Sequence, residues 1–185
     1  MKKIAYLIEF ILIKILFILF QLIGYRLSSN LGFFIGRAIG PIFRSKKMII
    51  QNLEKANIKH PGNPSKIASN VLGNYGRIFA EYVYLKKFRN NELKKYVSIV
   101  GLEHLENLKK LDKKAVFISG HFNNFELMAM EIEKAGIDLA AIYRPLNNIF
   151  LNKTMEKIRK ENICKNQIKK GRAGSRTIIK NLIEG

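Results

Sequence analysis

Two long apolar stretches open the chain. Residues 4–23 hold 15 Ile, Leu and Phe side chains, interrupted by Glu9, Lys14 and Gln21. As a helix this run measures about 30 Å, the thickness of a bilayer core. Each Ile, Leu or Phe gains roughly 0.3 to 0.6 kcal/mol near the bilayer centre, against about 2.5 to 3.5 kcal/mol lost at Lys14, so insertion is favourable by a modest margin. Glu9 and Lys14, five apart, are expected to neutralise each other partly or to snorkel to opposite sides. Lys2-Lys3 would suit a signal peptide, but the run is too long and no small-x-small cleavage site follows, so it reads as a membrane anchor. The next stretch, 27–43, sets Gly32, Gly36 and Gly40 in a small-xxx-small row beside Leu31, Phe34, Ile35, Ala38, Ile39 and Ile42. Such a row lets another helix approach closely. Two readings stay open for it: a helix at the membrane surface, or an ordinary core helix.

Further along, the period stays helical and then changes. Residues 46–58 predict a helix with Met48, Ile49, Leu53 and Ala56 on one side. His60-Pro61-Gly62-Asn63-Pro64 predicts a turn or linker, with His60 a solvated loop residue. Ser65 is expected to cap a long amphipathic helix whose apolar stripe runs Ile67, Val71, Leu72, Tyr75, Ile78, Phe79, Tyr82, Val83, a core face with Glu81 beside it in a structural role. From residue 96 short apolar runs alternate with helical patterns. Strands are expected at 96–100, 115–118 and 139–143, and helices after 101, over 124–135 up to Gly136, over 148–160 and over 176–183. Strand–helix alternation of this kind predicts an α/β fold with a partly parallel sheet flanked by helices. The chain thus divides into an anchor (1–25), a helical membrane-proximal region (26–94) and an α/β domain (95–185).

Charge changes this picture more than composition does. The formal net charge is +19, from 33 Lys and Arg against 14 Asp and Glu, spread along the chain. That field attracts nucleic acid, anionic lipid or an acidic protein. No aromatic-basic recognition motif accompanies it and an anchor precedes it, so nucleic acid is not the expected partner. The Lys-, Ile- and Asn-rich usage is also what an AT-rich genome gives. The heavier basic flank lies after the anchor, which places the main domain on the cytoplasmic side. Cys164 is the only cysteine, so no intrachain disulfide forms.

The candidate chemistry gathers at strand exits. Ser119-Gly120 breaks the run 115–118, and His121 follows ahead of a helix, where open α/β sheets place ligands. Glu126, five residues on, is positioned to curl back and hold one ring nitrogen, leaving the other as a general base. Arg144 follows the run 139–143 directly, where a guanidinium can bind phosphate or carboxylate. Lys169-Lys170-Gly171-Arg172-Ala173-Gly174-Ser175-Arg176 reads as a glycine-spaced basic turn before a helix, suited to a phosphate or simply a solvated basic cap. Its spacing is not that of a nucleotide P-loop. No serine elbow, CxxC, HExxH or dinucleotide fingerprint appears, so neither a metal nor a cofactor is expected.

Gly120-His121-Phe122-Asn123-Asn124-Phe125-Glu126 resembles the H-x4-D/E motif of membrane acyltransferases. It looks most like the branch that adds secondary acyl chains to lipid A, the lauroyl and myristoyl acyltransferases. That branch reads G-H-x-G-N-W-E, so Asn123 stands where glycine is usual and Phe125 where tryptophan is usual. Tyr143-Arg144-Pro145-Leu146-Asn147-Asn148 and the Gly171-Arg172-x-Gly174-x-Arg176 turn are similar to segments of the same family. The resemblance implies His121 and Glu126 as the catalytic pair, with Asn124, Arg144, Asn148, Arg172 and Arg176 binding substrate. It implies an enzyme of the inner, cytoplasmic membrane, single-pass or monotopic, that moves a fatty acyl chain from acyl carrier protein thioester to a hydroxyl of a phosphorylated lipid A precursor.

The same resemblance sets rivals beside this reading. The family's domain continues past the point matching 182–185 with further strands and an acidic segment. A truncated gene product, half of a split gene or a fragment is therefore expected, along with a separate polypeptide that would complete the domain. A glycerolipid acyltransferase and an inactive membrane-bound remnant are the alternatives.

Overall fold

The computed structural model describes residues 2–56, 62–111 and 114–184. Helices α1 (Lys2–Ile23), α2 (Tyr25–Phe43), α3 (Lys46–Lys55) and α4 (Pro64–Glu81) come first. They are followed by α5 (Leu85–Arg89), α6 (Leu102–Lys110), α7 (Phe125–Lys134), β1 (Ala140–Tyr143), α8 (Ile149–Asn162), β2 (Asn166–Lys169) and α9 (Arg172–Glu184). The fold is α/β: β1 and β2 pair in parallel, Tyr143 opposite Lys169, with α8 as the crossover. Of the expected turn at 60–64, His60 and Pro61 lie outside the described residues. The chain forms two compact units, Ile15–Tyr84 and the combination of Met1–Lys14 with Leu85–Gly185.

The unit Ile15–Tyr84 is built on a seam of small residues. The glycine row of α2 is buried at Gly32 and Gly36, and its partner is α4. A Cβ added at Gly76 of α4 would come within 2.1 Å of the Gly32 carbonyl oxygen, and one at Gly36 within 2.5 Å of the Leu72 carbonyl oxygen. Backbones this close leave no room for side chains, which is what a small-xxx-small row permits. The expected α4 stripe is therefore half right. Leu72 and Ile78 are buried, but Tyr75 is 44% exposed, and Ala68, Gly73 and Ala80 supply much of the buried face. Ser28 and Tyr84 both donate to the Phe20 carbonyl, securing the Gly24 break between α1 and α2. Glu81 is buried and accepts from Ser29 Oγ (2.7 Å) and Tyr25 OH (3.3 Å), the structural role expected of it.

The cap of α4 differs from expectation. Asn63 is the N-cap, its Oδ1 accepting from the Ser65 amide, and Pro64 opens the helix. Proline suits the first helical position because the N–H it lacks would have no partner there.

In the other unit two expected strands do not form. Residues 97–100 and 115–118 carry no ladder bonds, and Val100, Val116 and Ile118 are 94%, 72% and 93% exposed. An apolar run becomes a strand only when a neighbouring strand accepts its backbone groups. Here 115–117 instead wall a cavity of about 900 Å³ whose other sides come from α7, β1, β2 and α9, among them Phe117, Met128, Ile132, Ile142, Ile168 and Leu182. Conversely, β2 was not expected, since of Asn166-Gln167-Ile168-Lys169 only Ile168 is buried. Helix α9 starts at Arg172, four residues before the expected start. Gly174 lies within it because a Cβ there would stand 2.0 Å from the Lys169 carbonyl oxygen.

Residues 2–14 of α1 belong to this unit. Its Glu9 carboxylate does not pair with Lys14: five residues along a helix turn the two about 140° apart. Asn148, the N-cap of α8, donates to it instead (2.9 Å), and Phe10 packs on Phe150.

Candidate active site

His121 sits in the irregular segment ahead of α7, without the strand expected to precede it, and Glu126 lies in the first turn of that helix as expected. The chain reaches the helix through Asn123 at φ 44°, in the left-handed region. Glycine takes that conformation most easily, and asparagine is among the few other residues that tolerate it. The motif of the resembled acyltransferases has glycine at this position, and the backbone gives the reason. The Asn123 carbonyl accepts from the Phe125 amide (3.1 Å) and Asn124 is the helix N-cap. Gly136 at φ 85° ends α7 as expected.

The two side chains have different surroundings. The His121 ring is exposed and packs on Phe125, centroids 4.1 Å apart. The Glu126 carboxylate is buried and turned to Arg159 of α8, whose Nε (3.0 Å) and Nη2 (2.7 Å) both donate to Oε1. Two charge-assisted bonds from a rigid guanidinium fix a carboxylate in position as well as neutralise it. Arg159 is the site residue that sequence reading missed. A signal existed: Leu151 and Met155 are buried on α8, and Arg159 continues their i, i+4 row. A cation on a buried row requires a buried anion.

Beside this pair lies a second polar cluster. Tyr143, the last residue of β1, donates to Glu156 of α8, which also accepts from Asn152 (2.9 Å) and pairs with Lys169 at the end of β2 (3.1 Å). Burial first, and the Glu156 carboxylate second, push the Tyr143 phenol up to about 12. The Tyr143 hydrogen bond in turn holds the Glu156 carboxyl below its usual range.

The parallel register brings together two of the expected anion-binding segments. The Lys170 amide donates to the Tyr143 carbonyl (2.8 Å), so the chain leaves both strands at the same sheet edge, with Arg144 following one and Gly171-Arg172 the other. Arg144, Arg172 and Arg176 are all exposed. Arg172 and Arg176 stand one turn apart at the start of α9 and share a face. Asn148 is placed differently. It is buried, caps α8 by accepting from the amides of Phe150 and Leu151, and donates to Glu9 and the Tyr6 carbonyl. In this arrangement its amide is taken up by the chain itself.

Cys164 is buried and its thiol is pushed up by that burial, which makes it an inert core residue. Among the described residues no group of His, Cys, Asp and Glu could hold a metal ion.

A search of curated proteins and a search of solved structures each found no match. The sequence model of the family described as bacterial lipid A biosynthesis acyltransferase matches residues 1–185. With His121 and Glu126 set at the start of α7 and the match running the whole length, the chain belongs to the bacterial lipid A biosynthesis acyltransferase family.

Proposed function

We propose that the chain transfers a fatty acyl group from acyl carrier protein thioester to a hydroxyl of a phosphorylated lipid A precursor, at the cytoplasmic face of the inner membrane. The observation that carries this reading is the family match over residues 1–185, on which the His121–Glu126 motif falls. His121 acts as general base on the acceptor hydroxyl, whose oxygen attacks the thioester carbonyl. The tetrahedral intermediate collapses to the ester, the carrier's thiolate leaves, and the imidazolium returns the proton to it. No covalent acyl-enzyme is required.

Glu126 orients His121 and stabilises the imidazolium. In the structure this carboxylate faces Arg159, and catalytic hydrogen bonds commonly tighten only once substrate is bound. Arg159 is then a positioning residue that holds Glu126 at the head of α7. Asn124, at the same helix start, and Arg144, Arg172 and Arg176, at the sheet edge and α9, bind the acceptor's polar and phosphate groups. Asn148 positions the segment after Arg144 through its cap. The surplus positive charge draws the acidic carrier protein and the anionic membrane.

Acceptor choice tests the reading. Membranes containing the chain are supplied with acyl carrier protein thioester and, in parallel, the tetra-acylated lipid A precursor or glycerol 3-phosphate. Acylation of the lipid A precursor is expected. Acylation of glycerol 3-phosphate instead would move the chain to glycerolipid synthesis, and acylation of neither would make it a remnant.

A further inference from the structure

Helix α2 has two opposite faces. Gly32, Gly36 and Gly40 lie against α4. At 100° per residue, Leu27, Leu31, Phe34, Ala38 and Ile42 fall within an arc of about 80° on the far side. That far face is open: Leu27 is 64%, Phe34 63% and Ile42 80% exposed. The preceding helix is divided in the same way within this unit. Phe17 and Phe20 of α1 are buried, Phe17 against Phe79 of α4, whereas Ile15, Ile18 and Leu22 are 59%, 57% and 79% exposed. Helix α2 packs along α4, α1 meets α4 through Phe17, and both turn apolar residues to the exterior. Exposed apolar helix faces of this kind mark a contact with another molecule or a membrane.

The charge pattern selects the occupant. No Asp or Glu stands between Glu9 and Glu54, whereas Lys14, Arg26, Arg37, Arg44, Lys46 and Lys47 do. Arg26 and Arg37 are exposed and flank the apolar arc of α2 on one side. An apolar face whose charged neighbours along the chain are all cations matches a layer with acyl chains inside and anionic headgroups outside. Helix α2 does not cross that layer, because α4 covers its glycine face and α4 carries the exposed polar residues Lys66 and Asn70. We propose that α2 lies at the headgroup–acyl boundary of an anionic bilayer, its Leu27–Ile42 face inserted beside α1. The chain then holds the membrane by two helices, not by α1 alone. The inference rests on the membrane location proposed above.

Site-directed spin labelling tests it. The full chain is placed in vesicles of phosphatidylethanolamine and phosphatidylglycerol, with one nitroxide at Leu27→Cys, Phe34→Cys, Ile11→Cys or Asn70→Cys. These are exposed positions, and buried Cys164 stays in place with the unsubstituted chain as the labelling blank. Collision with oxygen reports lipid, and collision with a water-soluble nickel chelate reports water. The oxygen-to-nickel ratio at 27 and 34 is expected to match that at 11 and to exceed that at 70 several-fold. Nickel access at 27 and 34 with oxygen access at 11 would overturn the proposal and leave this face to a protein partner. Nickel access at 11 as well would remove the membrane reading together with it.

Discussion

The seam between α2 and α4 and the wall of the cavity beside β1 are both made by apolar sequence, and they are packed in opposite ways. At the seam, glycines bring two backbones within contact distance, and an added Cβ would meet a carbonyl oxygen at 2.1 Å. At the cavity, the run 115–117 stands off from β1 across about 900 Å³ of open space. A helix completes its own hydrogen bonds, so two helices need only matching faces to pack closely. An apolar segment that is to be a strand needs a neighbour for every second backbone group, and without one it remains a surface. Hydrophobicity alone therefore decides where a segment goes only when its backbone is already satisfied.

Substitutions at four positions would break or sharpen that contrast. The largest loss is expected from Gly76→Leu, which drives a side chain into the Gly32 backbone. Its cost should reach or exceed the roughly 3 kcal/mol at the upper end of ordinary overpacking, seen as a lowered unfolding temperature in detergent. An unchanged unfolding temperature would show that the seam is not tightly closed.

Arg159→Met should come next. It takes both guanidinium bonds from the buried Glu126 carboxylate, and breaking such a pair costs about 3 kcal/mol, the low end of the usual range because Arg159 keeps 18% side-chain exposure. It should also cut acyl transfer more than Arg159→Lys does, since the lysine keeps the charge but loses the fork. Equal effects of the two would mean that the charge alone matters at this position.

Ala129→Leu places bulk where the cavity has room, in contrast to the seam. Its unfolding free energy is expected to change by less than about 1 kcal/mol. A loss comparable to that of Gly76→Leu would mean the cavity closes in solution.

Tyr143→Phe should have the smallest effect, felt between the extremes of pH. The phenol's pKa, raised from 10 to about 12, adds stability that is whole below pH 10 and is lost as the pH climbs through 12. Glu156, held below its usual range, adds stability above that range that is lost on acidification. Unfolding temperatures of the parent and the variant, compared across pH, should differ at intermediate pH and draw together at both ends if the Tyr143–Glu156 bond persists in solution. Parallel profiles would show that it does not.

What the sequence made legible follows the same division. The helices α1, α2, α4, α7 and α8 were legible because each pattern is local: an apolar run, a glycine row, a stripe, a cap and a stop at Gly136. The His121–Glu126 spacing at the head of α7 was legible for the same reason. Of the strands only β1, expected at 139–143, was legible; the others were not, because their partners are distant. Residues 97–100 and 115–118 looked like strands and join no sheet among the described residues, while β2 is polar and pairs with β1. The Glu126–Arg159 bond, 33 residues apart, and the Asn148–Glu9 bond, 139 apart, join elements whose meeting no local pattern reports. Asn123 shows the converse. Its departure from glycine in the resembled motif fits a backbone angle that asparagine tolerates.

The most direct test of the central claim is the rate of acyl transfer by His121→Ala, from acyl carrier protein thioester to the tetra-acylated lipid A precursor, with the variant's membrane association measured in the same preparation. The account predicts that transfer by the parent chain is abolished in the variant while association with the membrane is unchanged. Substantial transfer by the variant would remove His121 from its role as general base.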